Sequence, residues 1–221
     1  MKTASASSDF WICPRRVSAQ RTQLCLSLAN VDASWRPLGR SWTGEGFDTA
    51  RGWARVQWQD DVLVYDMVFV GGRATNEART LNELTWELGD VSEIFAQVDG
   101  RAEYIEVHVT PENQRLQLLF PHGAIERVRS AQVRLADYFI EDPEWVQSWT
   151  RVEQDFWSVH VQIPASRFHL DRFKSGQILQ TAVCRYDCTL GATAVISSTA
   201  PFKEASFHRH AEWTPLALVD G

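Results

Sequence analysis

Ten tryptophans in a chain of 221 residues are the side chains of this sequence most open to binding chemistry. An indole offers a flat, electron-rich face and one N–H donor, so an exposed ring stacks on an apolar or cationic surface while a buried one fills a core. Trp86, just ahead of a Gly89-Asp90 turn, and Trp213, beyond Phe207-His208-Arg209, stand where a ring could lie at a domain rim, either stacking on a ligand or covering the edge of a core. Trp58 and Trp157 fall on the apolar phase of alternating runs and read as core. Glu93 shares a strand phase with Phe95, away from Ile94, Ala96 and Val98, where its carboxylate could accept two hydroxyl bonds or pair with an arginine such as Arg185. Arg185 ends the run Ile178 to Arg185, and its planar fork suits vicinal hydroxyls as well as carboxylates.

Catalytic patterns are thin by comparison. Hydrolysis of a glycosidic bond needs two carboxyls across a cleft, and Asp90 with Glu93 or Glu106 is only a nominal pair. The chain carries no Gly-x-Ser-x-Gly elbow, phosphate-binding glycine loop or His-Glu-x-x-His motif, so no catalytic residue is assigned. His208 and His210 could join Cys184 or Cys188 around zinc, but no Cys-x-x-Cys accompanies them, and His208 serves a turn equally well. No metal site is assigned, although the turn acids Asp60, Asp61 and Asp90 could ligate calcium. Haem would need an axial pair, and Met67, the one internal methionine, lies in an apolar run. His108 shares its face with Tyr104, Glu106 and Thr110 and reads as a sheet-face histidine.

The elements that would position these residues are strands. Ala54, Val56 and Trp58 alternate with polar neighbours, Asp60-Asp61 marks a turn, and the run Val62 to Val70 ends at Gly71-Gly72, which predicts a hairpin with a deeply buried second strand. Val91 to Val98, the Asp99-Gly100 turn, Tyr104 to Thr110 and Leu116 to Phe120 give three strands in meander order. After Pro121-His122-Gly123 the pattern fits a short helix or an extended stretch over Ile125 to Ile140. Alternation returns from Trp157 to Pro164 and from Ile178 to Arg185. Short strands without alternating long helices predict an all-β, antiparallel sandwich with one or two short helices rather than a parallel α/β sheet.

No linker composition divides the chain, so one main domain is expected over residues 30–221, preceded by an extension, residues 1–29, that could pack on it. Charges are interleaved around a net −6, which argues against a nucleic-acid partner. No apolar run is long enough to span a bilayer, and no secretory signal is visible, which fits a cytoplasmic protein or a processed secreted one. Cys13, Cys25, Cys184 and Cys188 are even in number and could pair or remain buried thiols.

Several segments in order resemble the family 9 carbohydrate-binding modules and the wider DOMON-like sandwiches. They are Asp32-Ala33-Ser34-Trp35, Val56 to Val64, Gly89-Asp90-Val91-Ser92-Glu93-Ile94-Phe95, Tyr104 to Pro111, Trp157 to Pro164, Cys184-Arg185-Tyr186-Asp187, and Ser206-Phe207-His208-Arg209 with Trp213. The resemblance implies an immunoglobulin-like or jelly-roll-like sandwich that holds a glycan end, or a mono- or disaccharide, between two tryptophans while polar groups bond its hydroxyls. Carried onto this chain it implies a non-catalytic domain with Trp86, Glu93, Arg185 and Trp213 as ligand contacts. The alternative is an interaction or scaffold domain whose rim aromatics meet another protein or a second copy of the chain, a homo-oligomer.

Overall fold

The computed structural model describes residues 10–16, 26, 28–43, 51–71, 73–189 and 193–220. Twelve strands run through them: β1 (Trp11–Pro14), β2 (Arg36–Pro37), β3 (Gly52–Trp58), β4 (Val62–Val70), β5 (Val91–Val98), β6 (Tyr104–Val109), β7 (Arg115–Phe120), β8 (Gln147–Val152), β9 (Phe156–Pro164), β10 (Ile178–Asp187), β11 (Val195–Ser198) and β12 (Thr214–Val219). One short helix, α1 (Ala124–Arg129), and several 3-10 turns join them. A seven-stranded sheet is ordered β1-β12-β10-β5-β6-β7, with β11 also on β10, and a five-stranded sheet is ordered β2-β3-β4-β9-β8. β12 pairs with Ile178–Thr181 and β11 with Cys184–Asp187, so the two share one edge of β10. Among the described residues no helix is long and apolar enough to cross a membrane.

Side chains that alternate along a strand can build a core from only one of its faces. In β3 the inward set is Ala54, Val56 and Trp58, while Trp53, Arg55 and Gln57 point outward. Trp58 and Trp157 both fill the space between the sheets, as their phase predicts, and each burial removes ~200 Å² from water, worth roughly 5 kcal/mol. β4 is buried almost end to end because both its faces are covered. Leu63, Tyr65, Met67 and Phe69 lie in the sandwich, and on the far side Val68 packs under Leu26 and Trp35. A strand covered twice reads as a continuous apolar run, which is how Val62 to Val70 reads.

The meander of β5, β6 and β7 is present, and Gly100 turns the first hairpin at a φ of 76°. Of the two forms that the pattern over Ile125 to Ile140 fits, the chain adopts the helical one, with α1 and a 3-10 turn at Leu135–Tyr138. Ala124 and Ile125 bury one side of α1, whereas Glu126 and Arg129 face out. Trp11–Pro14, on the N-terminal side of the boundary drawn at residue 30, runs parallel to β12 and extends the sheet. Cys13 and Cys184 are buried free thiols whose pKa burial pushes up, and Cys188 is a free thiol near the surface. Cys25 lies outside the described residues.

Candidate functional site

The alternation that sends Ile94, Ala96, Ile105 and Val107 into the sandwich sends Glu93, Phe95, Tyr104, Glu106 and His108 to the outer face of the seven-stranded sheet. Register then assembles them. Glu93 stands opposite His108 on β6 and Cys184 on β10, and Phe95 stands opposite Glu106 and Ala182. Such a face often meets water. Here it is roofed by Phe202, Phe207 and Trp213 and flanked by Trp86, so that Glu93, Glu106 and His108 are only 3%, 4% and 1% exposed.

The roofed groups form a continuous polar cluster. His108 Nε2 lies 2.7 Å from Glu106 Oε1, and His108 Nδ1 lies 2.9 Å from the Thr85 hydroxyl and 3.6 Å from Glu93 Oε1. On the far side of Glu106, His208 Nδ1 is 2.9 Å from the Tyr104 hydroxyl and 3.7 Å from Glu106 Oε2. Glu106 Oε2 is buried with no hydrogen-bond partner among the described residues. Burial pushes the Glu93 carboxyl up to about 7, against the pull of His108 and with the push of Glu106. Burial likewise lifts Glu106 to about 7, opposed by His208. The same desolvation lowers His108 and His208, against the attraction of Glu93 and Glu106. Raised carboxyls and lowered imidazoles leave the cluster with less charge around pH 7 than the same groups carry in water, so it can both donate and accept hydrogen bonds.

Trp86 is half-buried on the 3-10 turn Thr85–Glu87, its ring edge-on to His108 at 5.5 Å. That turn is held from beneath. Asn76 Nδ2 donates to the carbonyls of Thr85 at 2.8 Å and Asp90 at 3.1 Å, and at Gly89 (φ 142°) an added Cβ would come within 2.3 Å of the Thr75 carbonyl. Trp213 lies on the same side of the sheet, reached from Trp86 through His108, Glu106, His208 and Tyr104.

Trp213 is not, however, an open platform. It is 4% exposed, stacked on His210 at 4.4 Å, packed on Tyr104 and Phe95, and donates its indole N–H to the Phe207 carbonyl at 2.7 Å. A cavity of about 240 Å³ touches Trp213, but its other walls are Arg36, Pro37, Thr199, Pro201, Thr214 and Pro215, so a ring there would meet none of the clustered acids.

Arg185 stands apart from this cluster. It pairs in register with Ser92, whereas Glu93 pairs with Cys184, so Arg185 and Glu93 leave opposite faces of the sheet and form no ion pair. Arg185 instead ties the two sheets together. It donates to the carbonyls of Arg51 at 2.9 Å and Val70 at 2.8 Å, lies 3.1 Å from Asp187 and 3.7 Å from Asp90, and covers the Phe69 ring. Asp90 spends its oxygens on the backbone N–H groups of Cys188 and Thr75, and Asp60 pairs with Arg15. Among the described residues no group of three or more His, Cys, Asp or Glu is placed to hold a metal ion.

No family model matches the chain, and no curated protein matches it in sequence. The likeness lies in three dimensions. A family 9 carbohydrate-binding module from Caldicellulosiruptor kristjanssonii, in complex with cellotriose, matches with a TM-score of 0.61 at 12% identity over 95% of this chain and 93% of its own. A structure of such a module from the same organism, in complex with glucose, gives 0.59 at 13% identity over 95% of each chain. The fold is that of a family 9 carbohydrate-binding module. A candidate carbohydrate-binding protein from Bacteroides uniformis shares it, with a TM-score of 0.65 at 15% identity over 83% of this chain and 85% of that one.

Within this fold the clustered acids and imidazoles are ones the sequence shows only in part. Alternation places Tyr104, Glu106 and His108 on one face, and Glu93 on the phase of Phe95. What it lacks is the cross-strand register that sets Glu93 against His108. His208 joins from a loop about a hundred residues away, and nothing local in His208-Arg209-His210 announces Tyr104 and Glu106 as its neighbours.

Proposed function

We propose that this chain is a non-catalytic carbohydrate-binding domain that receives a sugar ring on the outer face of the seven-stranded sheet, between Trp86 and Glu93. The observation that carries this reading is the unfilled hydrogen-bonding capacity beside a half-buried indole. Glu106 Oε2 is buried and unpartnered, and Glu93 Oε1 stands 3.6 Å from His108 Nδ1, beyond hydrogen-bond distance. A buried acceptor without a partner costs about 1–3 kcal/mol, which a sugar hydroxyl would recover. The apolar C–H face of a pyranose complements the ring of Trp86, and the hydrogen-bonded pair of His108 and Glu106 lies behind it. Trp213 serves this site as a wall behind Tyr104, and Arg185 as a tie between the sheets. The module of the same fold that holds cellotriose supports a glucose-containing ligand. Two carboxyls gathered in one buried cluster, rather than facing each other across an open cleft, support binding without hydrolysis.

Calorimetry with glucose, cellobiose and xylobiose tests the reading. Saturable heat with at least one of them is expected, weakened at least ~10-fold by Trp86→Ala or Glu93→Gln. Absence of heat at millimolar concentrations of all three would sink it.

A further inference from the structure

The outer face of the five-stranded sheet, on the opposite side of the molecule, carries a second set of residues arranged for contact. Register aligns Arg55, Asp66, His160 and Trp149 in one row across β3, β4, β9 and β8. Asp66, fully buried, accepts from Arg55 Nη2 at 2.8 Å and from His160 Nδ1 at 2.7 Å. With its Nδ1 proton directed at Asp66, His160 turns Nε2 to Gln162 Nε2, 3.0 Å away. The fixed imidazole backs Trp149, with ring centres 5.4 Å apart and planes at 49°. Trp149 is nevertheless 50% exposed.

We infer that Trp149 is the platform of a separate contact for a pyranose ring of a neutral glycan chain, lying across β8 and β9. This inference stands on its own residues and does not rest on the reading of the opposite face. The neighbouring row places Gln147 opposite Gln162, so amide groups flank the indole where ring hydroxyls would fall. Charge selects a neutral ligand, because the Asp66 carboxylate is taken by Arg55 and His160 and Arg151 pairs with Glu153.

The same face is poorly built for a protein. An added strand would need the free edge of β8, where Asn113 Nδ2 already donates to the Ser148 carbonyl at 3.2 Å. Of the exposed large apolar side chains on β8, Val152 lies on the other strand phase, which leaves one indole among polar groups. That is far short of the ~800 Å² per partner of a standard interface.

Indole N–H resonances of the 15N-labelled protein test this during titration with cellohexaose and, separately, xylohexaose to millimolar concentration. The Trp149 signal, identified by its loss in Trp149→Ala, is expected to move saturably with at least one hexaose, and Trp149→Ala to weaken that Trp149-face contact at least ~10-fold. A Trp149 signal that stays fixed with both sugars overturns the inference. So does a doubled mass in light scattering that Trp149→Ala returns to monomer, since it assigns the face to a second copy of the chain. The Trp86 signal reports the other face: movement of Trp149 with Trp86 fixed sustains this contact and counts against the proposed function, and the reverse removes this contact alone.

Discussion

Glu93 and His108 face each other across β5 and β6, with 3.6 Å between Glu93 Oε1 and His108 Nδ1. Because His108 Nε2 is taken by Glu106, one imidazole serves two buried carboxyls. Groups this close share protons, so they titrate as a unit and couple the stability of the domain to pH.

The sign of that coupling follows from the raised carboxyls. Glu93 and Glu106 move from an ordinary 4.5 to about 7, so between those values the native state binds protons that the unfolded chain has released. Their stability contribution is therefore full below pH ~4.5 and lost as pH rises through ~7, on the order of 3 kcal/mol for each. The lowered imidazoles act oppositely, because the unfolded chain takes up their protons first as pH falls below 6.5. Glu106→Gln removes one carboxyl titration. In urea melts the variant is expected to gain stability relative to the parent between about pH 5 and about pH 8 by up to ~3 kcal/mol.

Trp86 and Trp213 should separate binding from folding. Trp213→Ala empties a packed aromatic site and is expected to cost about 3–5 kcal/mol, seen as a fall in the melting temperature. Trp86→Ala, at a half-buried position, should cost about 1 kcal/mol while removing sugar-dependent heat. Equal losses of stability in the two variants would assign Trp86 to the core as well.

Gly89 is expected to tolerate no side chain. Its φ of 142° and the 2.3 Å approach of an added Cβ to the Thr75 carbonyl require the Asn76 cradle to shift, and Trp86 with it. Gly89→Ala should cost about 2 kcal/mol or more in thermal melts and lower sugar affinity together with stability.

Asp66→Asn tests the row beneath Trp149. Burial pushes the Asp66 carboxyl up, but His160 and Arg55 outweigh it and hold the group below the ordinary range. The carboxylate thus stabilises the fold above its unfolded pKa, and this is lost as pH falls through the lowered native value. The variant is expected to be about 3 kcal/mol less stable at neutral pH, with the gap to the parent closing in acid.

The sequence by itself determined the sheets. Period two in β3, β6 and β9, the unbroken apolar run of β4 and the glycine turn at Asp99-Gly100 are local consequences of side-chain alternation and backbone sterics, and each is legible without knowing what lies opposite. Only the tertiary structure decided which phases share a neighbour. Offsetting Arg185 by one residue from the partner of Glu93 put them on opposite faces. Docking of the chain's last quarter buried Trp213 and brought His208 to Tyr104. Trp149 stayed half-exposed on the edge strand β8, on the sheet face turned away from the sandwich. Register and packing are settled by the summed burial of residues far apart in sequence, and no stretch of one strand records that sum.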